Sequence, residues 1–373
     1  MVTRFPHLLG LAAGAMALLP IAGAQAADGF LAGLRHHVTL GSMVPDNGDQ
    51  NPYAILVAPV SAGSIQKNDV LVGNFNNAGN LQGTGTTIVD FHPGTKAVSV
   101  FATIPKALPG CPGGIGLSTA MTMLKSGWVI VGSAPSTDGT TNTRGTGCLI
   151  VLDDHGKVVG TMTGPNINMP WGNMATVDDG DTATLFVSNA GFGVGSPDGQ
   201  PPVAKQATVL RLKLTVPAGQ PPHVVSETVI ARGFGAQADK GAFLIGPTGL
   251  VLGGNGTLYV SDAIGNRIVA IDDAATRMDS AGTGRVVTAG GALQHPLAMT
   301  ATPGGHLLVA NGLNGLVIEV DPATGKQLAT DWADADKAQS PPGNGDLFGI
   351  AVTPQADGFY YVEDENNTLV EAR

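Results

Sequence analysis

Residues 247–272 read PTGLVLGGNGTLYVSDAIGNRIVAID. A short apolar run opens the stretch and a Gly-rich turn follows. Leu258, Tyr259 and Val260 then form a second run, and a polar turn leads to a third over residues 267–271. Short β-branched and aromatic runs punctuated by Gly, Asn and Asp signal antiparallel strands joined by tight turns. The same frame returns at 296–321 as PLAMTATPGGHLLVANGLNGLVIEVD. It returns again at 170–189 as PWGNMATVDDGDTATLFVSN, with a third strand at 207–214, and in looser form at 348–371. Two earlier stretches fit as well: 52–91, holding VLVGNF and TTIVDF, and 115–153, holding WVIVGS and CLIVLD.

Six such units, spaced by roughly 50 to 75 residues, make an array rather than a single sandwich. A small antiparallel sheet cannot bury both faces alone, whereas sheets packed radially about an axis bury them and leave only short edges. The expected fold is therefore all-β, a six-bladed β-propeller. Fourth strands are expected at 98–104, 157–163, 223–231 and 326–331, but the last unit runs out of chain before it has one. Residues 36–41, HHVTLG, form a spare strand. It is expected to complete the last blade and so close the ring.

Composition agrees. Gly 54 and Pro 25 suit many tight turns, and 43% hydrophobic residues exclude a disordered chain. A net charge of −10 with no basic run excludes a nucleic-acid partner. Residues 1–26 read as a cleaved Sec-type signal peptide of bacterial kind. Arg4 starts it, 8–21 is an apolar stretch, and Ala24-Gln25-Ala26 is a small-x-small cleavage site. That stretch is shorter than the roughly 20 residues of a spanning helix, and no later segment supplies one. A periplasmic or secreted protein is expected, with residues 27–373 forming one propeller domain and acting as a monomer. In an oxidising compartment Cys111 and Cys148 are expected to pair.

The segment GTLYVSDAIGNRI at 256–268, with Asn266-Arg267-Ile268, resembles the NHL repeat. Six-bladed propellers of this kind include binding modules, lyases and lactonases, so the resemblance implies the fold ahead of any activity.

On the face where inner strands start, the loops joining second to third strands are long in the first three units, at 75–86, 134–147 and 190–205, and short in the others. Long loops on a rigid scaffold often carry function. Tyr53, Trp171, Thr248 and His295 stand at the openings of inner strands and are the expected ligand-binding residues, with His295 also a candidate general base. Second strands end on Asn74, Ser133, Asn189, Asp262, Asn311 and Asp364. These residues suit turn caps formed by side-chain-to-backbone hydrogen bonds. Asn189, Asp262 and Asn311 could alternatively converge on a hard cation such as Ca²⁺. That subset resembles the metal environment of the gluconolactonase/senescence-marker family and the paraoxonases, which implies an axial divalent ion. Those lactonases carry Glu-Gly-Pro at the first inner strand, where this chain has Asn51-Pro52-Tyr53. Two readings follow: a module binding a small molecule or protein on its looped face, or a metal-dependent hydrolase or lactonase using the same face. A purely structural propeller is the third.

Overall fold

The computed structural model describes residues 1–2 and 29–373. The expected signal peptide lies almost wholly outside the described residues. The first blade is built from Gln50–Val57, Val70–Asn76, Thr87–His92 and Ala97–Thr103, in order from the axis outward. The second uses Leu117–Met123, Val129–Ser133, Cys148–Leu152 and Val158–Met162, and the third Ala175–Asp178, Thr182–Asn189, Ala204–Thr215 and His223–Asp239. Pro247–Leu252, Leu258–Asp262, Arg267–Ile271 and Arg285–Ala289 make the fourth. Pro296–Ala301, Leu307–Asn311, Leu316–Val320 and Gln327–Trp332 make the fifth. The sixth takes Leu347–Val352, Phe359–Glu363 and Thr368–Ala372 from the end of the chain and His37–Ser42 from near its start.

The strand anticipated at 36–41 does seal the ring. His37 pairs with Ala372, Gly41 with Leu369 and Ser42 with Thr368, and the backbone amides of Arg35 and His36 both donate to Arg373 O at 2.9 Å.

Apolar side chains on both faces of the middle strands meet those of the next blade. Ala54, Leu71 and Ile88 of the first blade pack with Leu117, Val131 and Ile150 of the second. Ile130 and Leu149 of the second pack with Leu185 and Leu212 of the third. Ile268 and Val309 share a cluster across the fourth and fifth blades, and Leu308 and Val317 share one with Ile350 and Phe359 across the fifth and sixth. Burial on both faces is why second strands such as VLVGNFN and VIVGS read as continuous runs and not as alternation. Outer strands such as Ala97–Thr103 face water and are mixed.

The third blade departs from the expected pattern. Its outer strand does not stop at 231 but continues to Asp239 and folds back as Phe243–Ile245. Asp239 closes the turn by accepting from the amides of Gly241 and Ala242, both at 2.8 Å. Cys111 and Cys148 are bonded, with Cα atoms 5.1 Å apart. The bridge ties the connection between the first two blades to the third strand of the second. No helix among the described residues is long and apolar enough to cross a membrane.

Candidate functional site

Three inner strands open at or just before proline, and Pro170 makes an isolated bridge ahead of the third blade's inner strand. There Pro52 pairs with Asn74, Pro170 with Asn189, Pro247 with Asp262 and Pro296 with Asn311. The ends of the second strands thus line up on one rim, with Ser133 opposite Leu117. In the sixth blade the residue in register is Glu363, opposite Leu347, and not Asp364 one place further on. A tight turn after Glu363 had disguised the offset.

Most of these rim side chains serve their own loops. Ser133 Oγ accepts from Gly116 N at 3.1 Å and Asn189 Oδ1 from Asn168 N at 3.0 Å. Asp262 accepts from Gly265 N at 3.1 Å and holds Arg267 Nε at 2.8 Å. Asn311 accepts from Gln294 N and donates to Ala292 O and Asn314 Oδ1.

Inside that rim the axis is filled with aromatic rings. Tyr53 stacks on Phe348 with centroids 3.8 Å apart and on Phe75 at 4.5 Å. Trp171 meets Tyr53 and Phe75 edge-on, and Phe243 from the extra hairpin lies against both Trp171 and Phe75. Tyr53 and Thr248, expected at the mouth, are buried within and beside this plug, and Thr248 Oγ1 donates to Gly246 O at 2.9 Å. Burial raises the Tyr53 phenol well above its ordinary pKa, with Asp364 adding to the effect.

The three long loops form a connected canopy. Ser136 N donates to Gly83 O at 2.8 Å, and Thr141 Oγ1 to Gly195 O at 3.1 Å. The hairpin of the third blade is tied to this canopy at two points. Gln237 Nε2 donates to Pro201 O at 2.6 Å, and Gln82 Nε2 to Gly241 O at 2.5 Å. One half of the mouth is therefore roofed.

The other half stays open as a pocket of about 240 Å³. Trp171, Leu297 and Phe348 give it apolar walls, and His295 and Asp239 supply its titratable groups. It is smaller than a drug-sized site, about 300–1,000 Å³. His295 precedes Pro296 and holds a left-handed backbone, φ 49°, as do Asn51 before Pro52 and Met169 before Pro170. Non-glycine residues seldom adopt this conformation, and here it recurs around one rim. The turn is braced by Asn266 Oδ1, which accepts from His295 N at 2.7 Å. Burial lowers the His295 pKa, with Asp239 pulling more weakly the other way, so the imidazole is neutral at neutral pH.

Of the four expected ligand-binding residues, the structure brings Trp171 and His295 to the pocket wall. Asp239 and Phe243 are new. Their signal was present at 234–239, where buried Phe234, Ala236 and Ala238 alternate with half-buried partners as in a strand.

No known family model matches the chain, and no curated protein matches it in sequence. Solved structures do match in fold. A gluconolactonase from Xanthomonas campestris aligns with 15% identity and a TM-score of 0.54, over 91% of this chain and 89% of its own. A luciferin-regenerating enzyme aligns with 12% identity and a TM-score of 0.54, over 90% and 95%. Regucalcin from Agrobacterium tumefaciens, a calcium-binding protein, aligns with 11% identity and a TM-score of 0.50, over 89% and 92%. The six-bladed propeller is thus the fold of this chain, as it is of these structures.

The axial divalent ion implied by that resemblance does not fit the residues present. Asn189 and Asp262 give the oxygens described above to their own turns. Asp49, the nearest carboxylate in sequence to the missing glutamate, gives Oδ2 to Thr86 N, Thr86 Oγ1 and Thr87 Oγ1 at 2.7–2.9 Å. The rings of Tyr53, Phe75, Trp171, Phe243 and Phe348 fill the axis between them.

Proposed function

We propose that the chain is an exported enzyme that hydrolyses a small ester or lactone in the pocket at the open half of the channel mouth, with His295 as general base. The observation that carries this reading is a neutral imidazole, turned into a small apolar pocket by a left-handed backbone, with a carboxylate on the same wall. A neutral imidazole can take a proton from water as that water attacks an acyl carbon, then return it to the departing alkoxide. Trp171, Leu297 and Phe348 would hold the carbon skeleton. Likeness in fold to a gluconolactonase and a luciferin-regenerating enzyme favours catalysis over a purely structural role. The disulfide favours an oxidising compartment.

Recognition without turnover is the second reading. One observation favours it: among the described residues no hydrogen bond orients the His295 ring, so the base is not fixed ahead of substrate.

The test is a pH-stat assay of purified protein over small lactones and linear esters, with and without a chelator. Replacing His295 with Asn keeps a residue tolerant of left-handed φ and removes the base. Turnover should fall at least about 100-fold with the melting temperature unchanged, and should survive the chelator. Unchanged turnover in H295N removes His295 from the chemistry. Quenching of Trp171 fluorescence by compounds that are never hydrolysed would select the second reading.

A further inference from the structure

Residues 333–346 leave the outer strand of the fifth blade and return to the inner strand of the sixth. This connection carries Asp334, Gln339 and Asp346, and Glu363 ends the neighbouring second strand. One carboxylate oxygen each from Asp334, Asp346 and Glu363 lies within 4.8 Å of the other two. Asp346 is only 5% exposed, and its Oδ2 is buried without a hydrogen-bond partner. Asp334 Oδ2 and Gln339 Oε1 are likewise buried without partners. Glu363 accepts from Asn366 N, Asn366 Nδ2 and Thr368 Oγ1, which fixes its carboxylate in place.

No ion pair among the described residues reaches any of the three acids. The nearby His37 is engaged with Asp331 at 3.2 Å and with the Tyr361 hydroxyl at 3.1 Å. Three carboxylates held this close without a cation, two of them on buried residues, are costly to keep together.

The geometry points to a divalent-cation site of the calcium class at the junction of the fifth and sixth blades, with Asp334, Asp346 and Glu363 as carboxylate ligands. All three donors are oxygens, the preference of a hard cation. Calcium–oxygen distances of about 2.3–2.6 Å let ligands on opposite sides stand roughly 5 Å apart, whereas magnesium would draw them to about 4.2 Å. An open cleft of about 400 Å³, lined by Asp334, Asp336, Glu363, Glu365 and Asn366, leads to the site and can supply water ligands. Its acidic walls raise the local cation concentration. The site lies off the axis and its role is structural: the ion pins the 333–346 connection to the blade that closes the ring.

The experiment uses the full chain, stripped with a chelator and dialysed, with calcium chloride alone as the probe. Calorimetry should show one ion per chain at micromolar to millimolar calcium, and saturation should raise the melting temperature by several degrees. Asp346→Asn should weaken calcium at least tenfold, while its melting temperature in chelator stays level or rises because a buried repulsion is gone. Should D346N fail to fold, Asp334→Asn, on the partly exposed connection, must show the same loss of affinity. Wild-type protein with neither heat nor a melting shift at millimolar calcium overturns the site, as do D346N and D334N that bind like wild type. Both readouts are independent of turnover, so the outcome stands whether or not the axial pocket is catalytic.

Discussion

Asp262 is 2% exposed, accepts from the amide of Gly265 and holds Arg267 Nε at 2.8 Å. The rim positions were legible in sequence because Asx and Ser residues recur at the ends of second strands. What each side chain points at was not, because a turn cap and an axial ligand call for the same residue types. Asp262→Ala removes a buried charged acceptor and leaves the guanidinium without its partner. It should cost about 2–3 kcal/mol in urea unfolding. Asp262→Asn should cost less, because the amide oxygen can still accept from Gly265. Equal stability of the alanine variant and the parent would show that the pair contributes nothing. His295 shows the opposite case. Its position before proline was readable from the sequence, but its left-handed backbone and its pocket depend on a hairpin supplied by another blade.

That hairpin is where the repeat pattern gave least guidance. A frame inferred from six similar units has no place for an element present once, so the third blade's outer strand was expected to end at 231 and not at Asp239. Phe243 pays for the insertion with a left-handed φ of 63° in a bulky residue. Its ring is fully buried against Trp171 and Phe75, which holds it there. Phe243→Ala keeps the backbone strain and empties the plug, and should cost about 3–5 kcal/mol. Phe243→Gly empties the plug but relieves the strain, so it should be no less stable than the alanine variant, the reverse of the usual order. Chemical denaturation of the pair decides this, and a glycine variant clearly less stable than the alanine variant would show that the backbone is not strained. The cysteine pair, by contrast, was legible from count and compartment alone. Replacing Cys111 and Cys148 together with Ser should lower stability by about 2–4 kcal/mol, since the bridge closes a loop with a sequence separation of 37. Scanning calorimetry of parent and variant without reductant measures it.

At the scale of the whole ring, radial packing sets buried acids between blades, and their titration makes the stability of the molecule depend on pH. Burial, helped by Asp69, raises Asp90 to about 6, and burial, helped by Asp334, raises Asp346 to about 7. Glu363 and Asp364 are raised by the same causes. His92 is raised chiefly by its hydrogen bond to Asp69, made at 2.8 Å. Each of these groups binds its proton more tightly folded than unfolded. Its contribution is therefore complete below the unfolded pKa and is lost as pH rises through the folded one. For Asp90 that window runs from the ordinary carboxylate value to about 6, and for Asp346 to about 7. His295 has the opposite sign, because its lowered pKa removes stability as pH falls through the ordinary histidine range. Exposed Asp138 and Asp198 and half-buried Asp321 are lowered by hydrogen bonds and cost stability only once pH drops into the carboxylate range. The raised groups outnumber His295 across neutral pH. In chelator, the melting temperature should therefore climb by roughly 5 °C between about pH 8.5 and 6 before falling in acid. Asp346→Asn should flatten the part of that climb lying near pH 7. Calorimetric scans across the range test both statements, and a melting temperature that is level or rises from pH 6 to 8.5 would mean that these acids are solvated or paired in the folded ring.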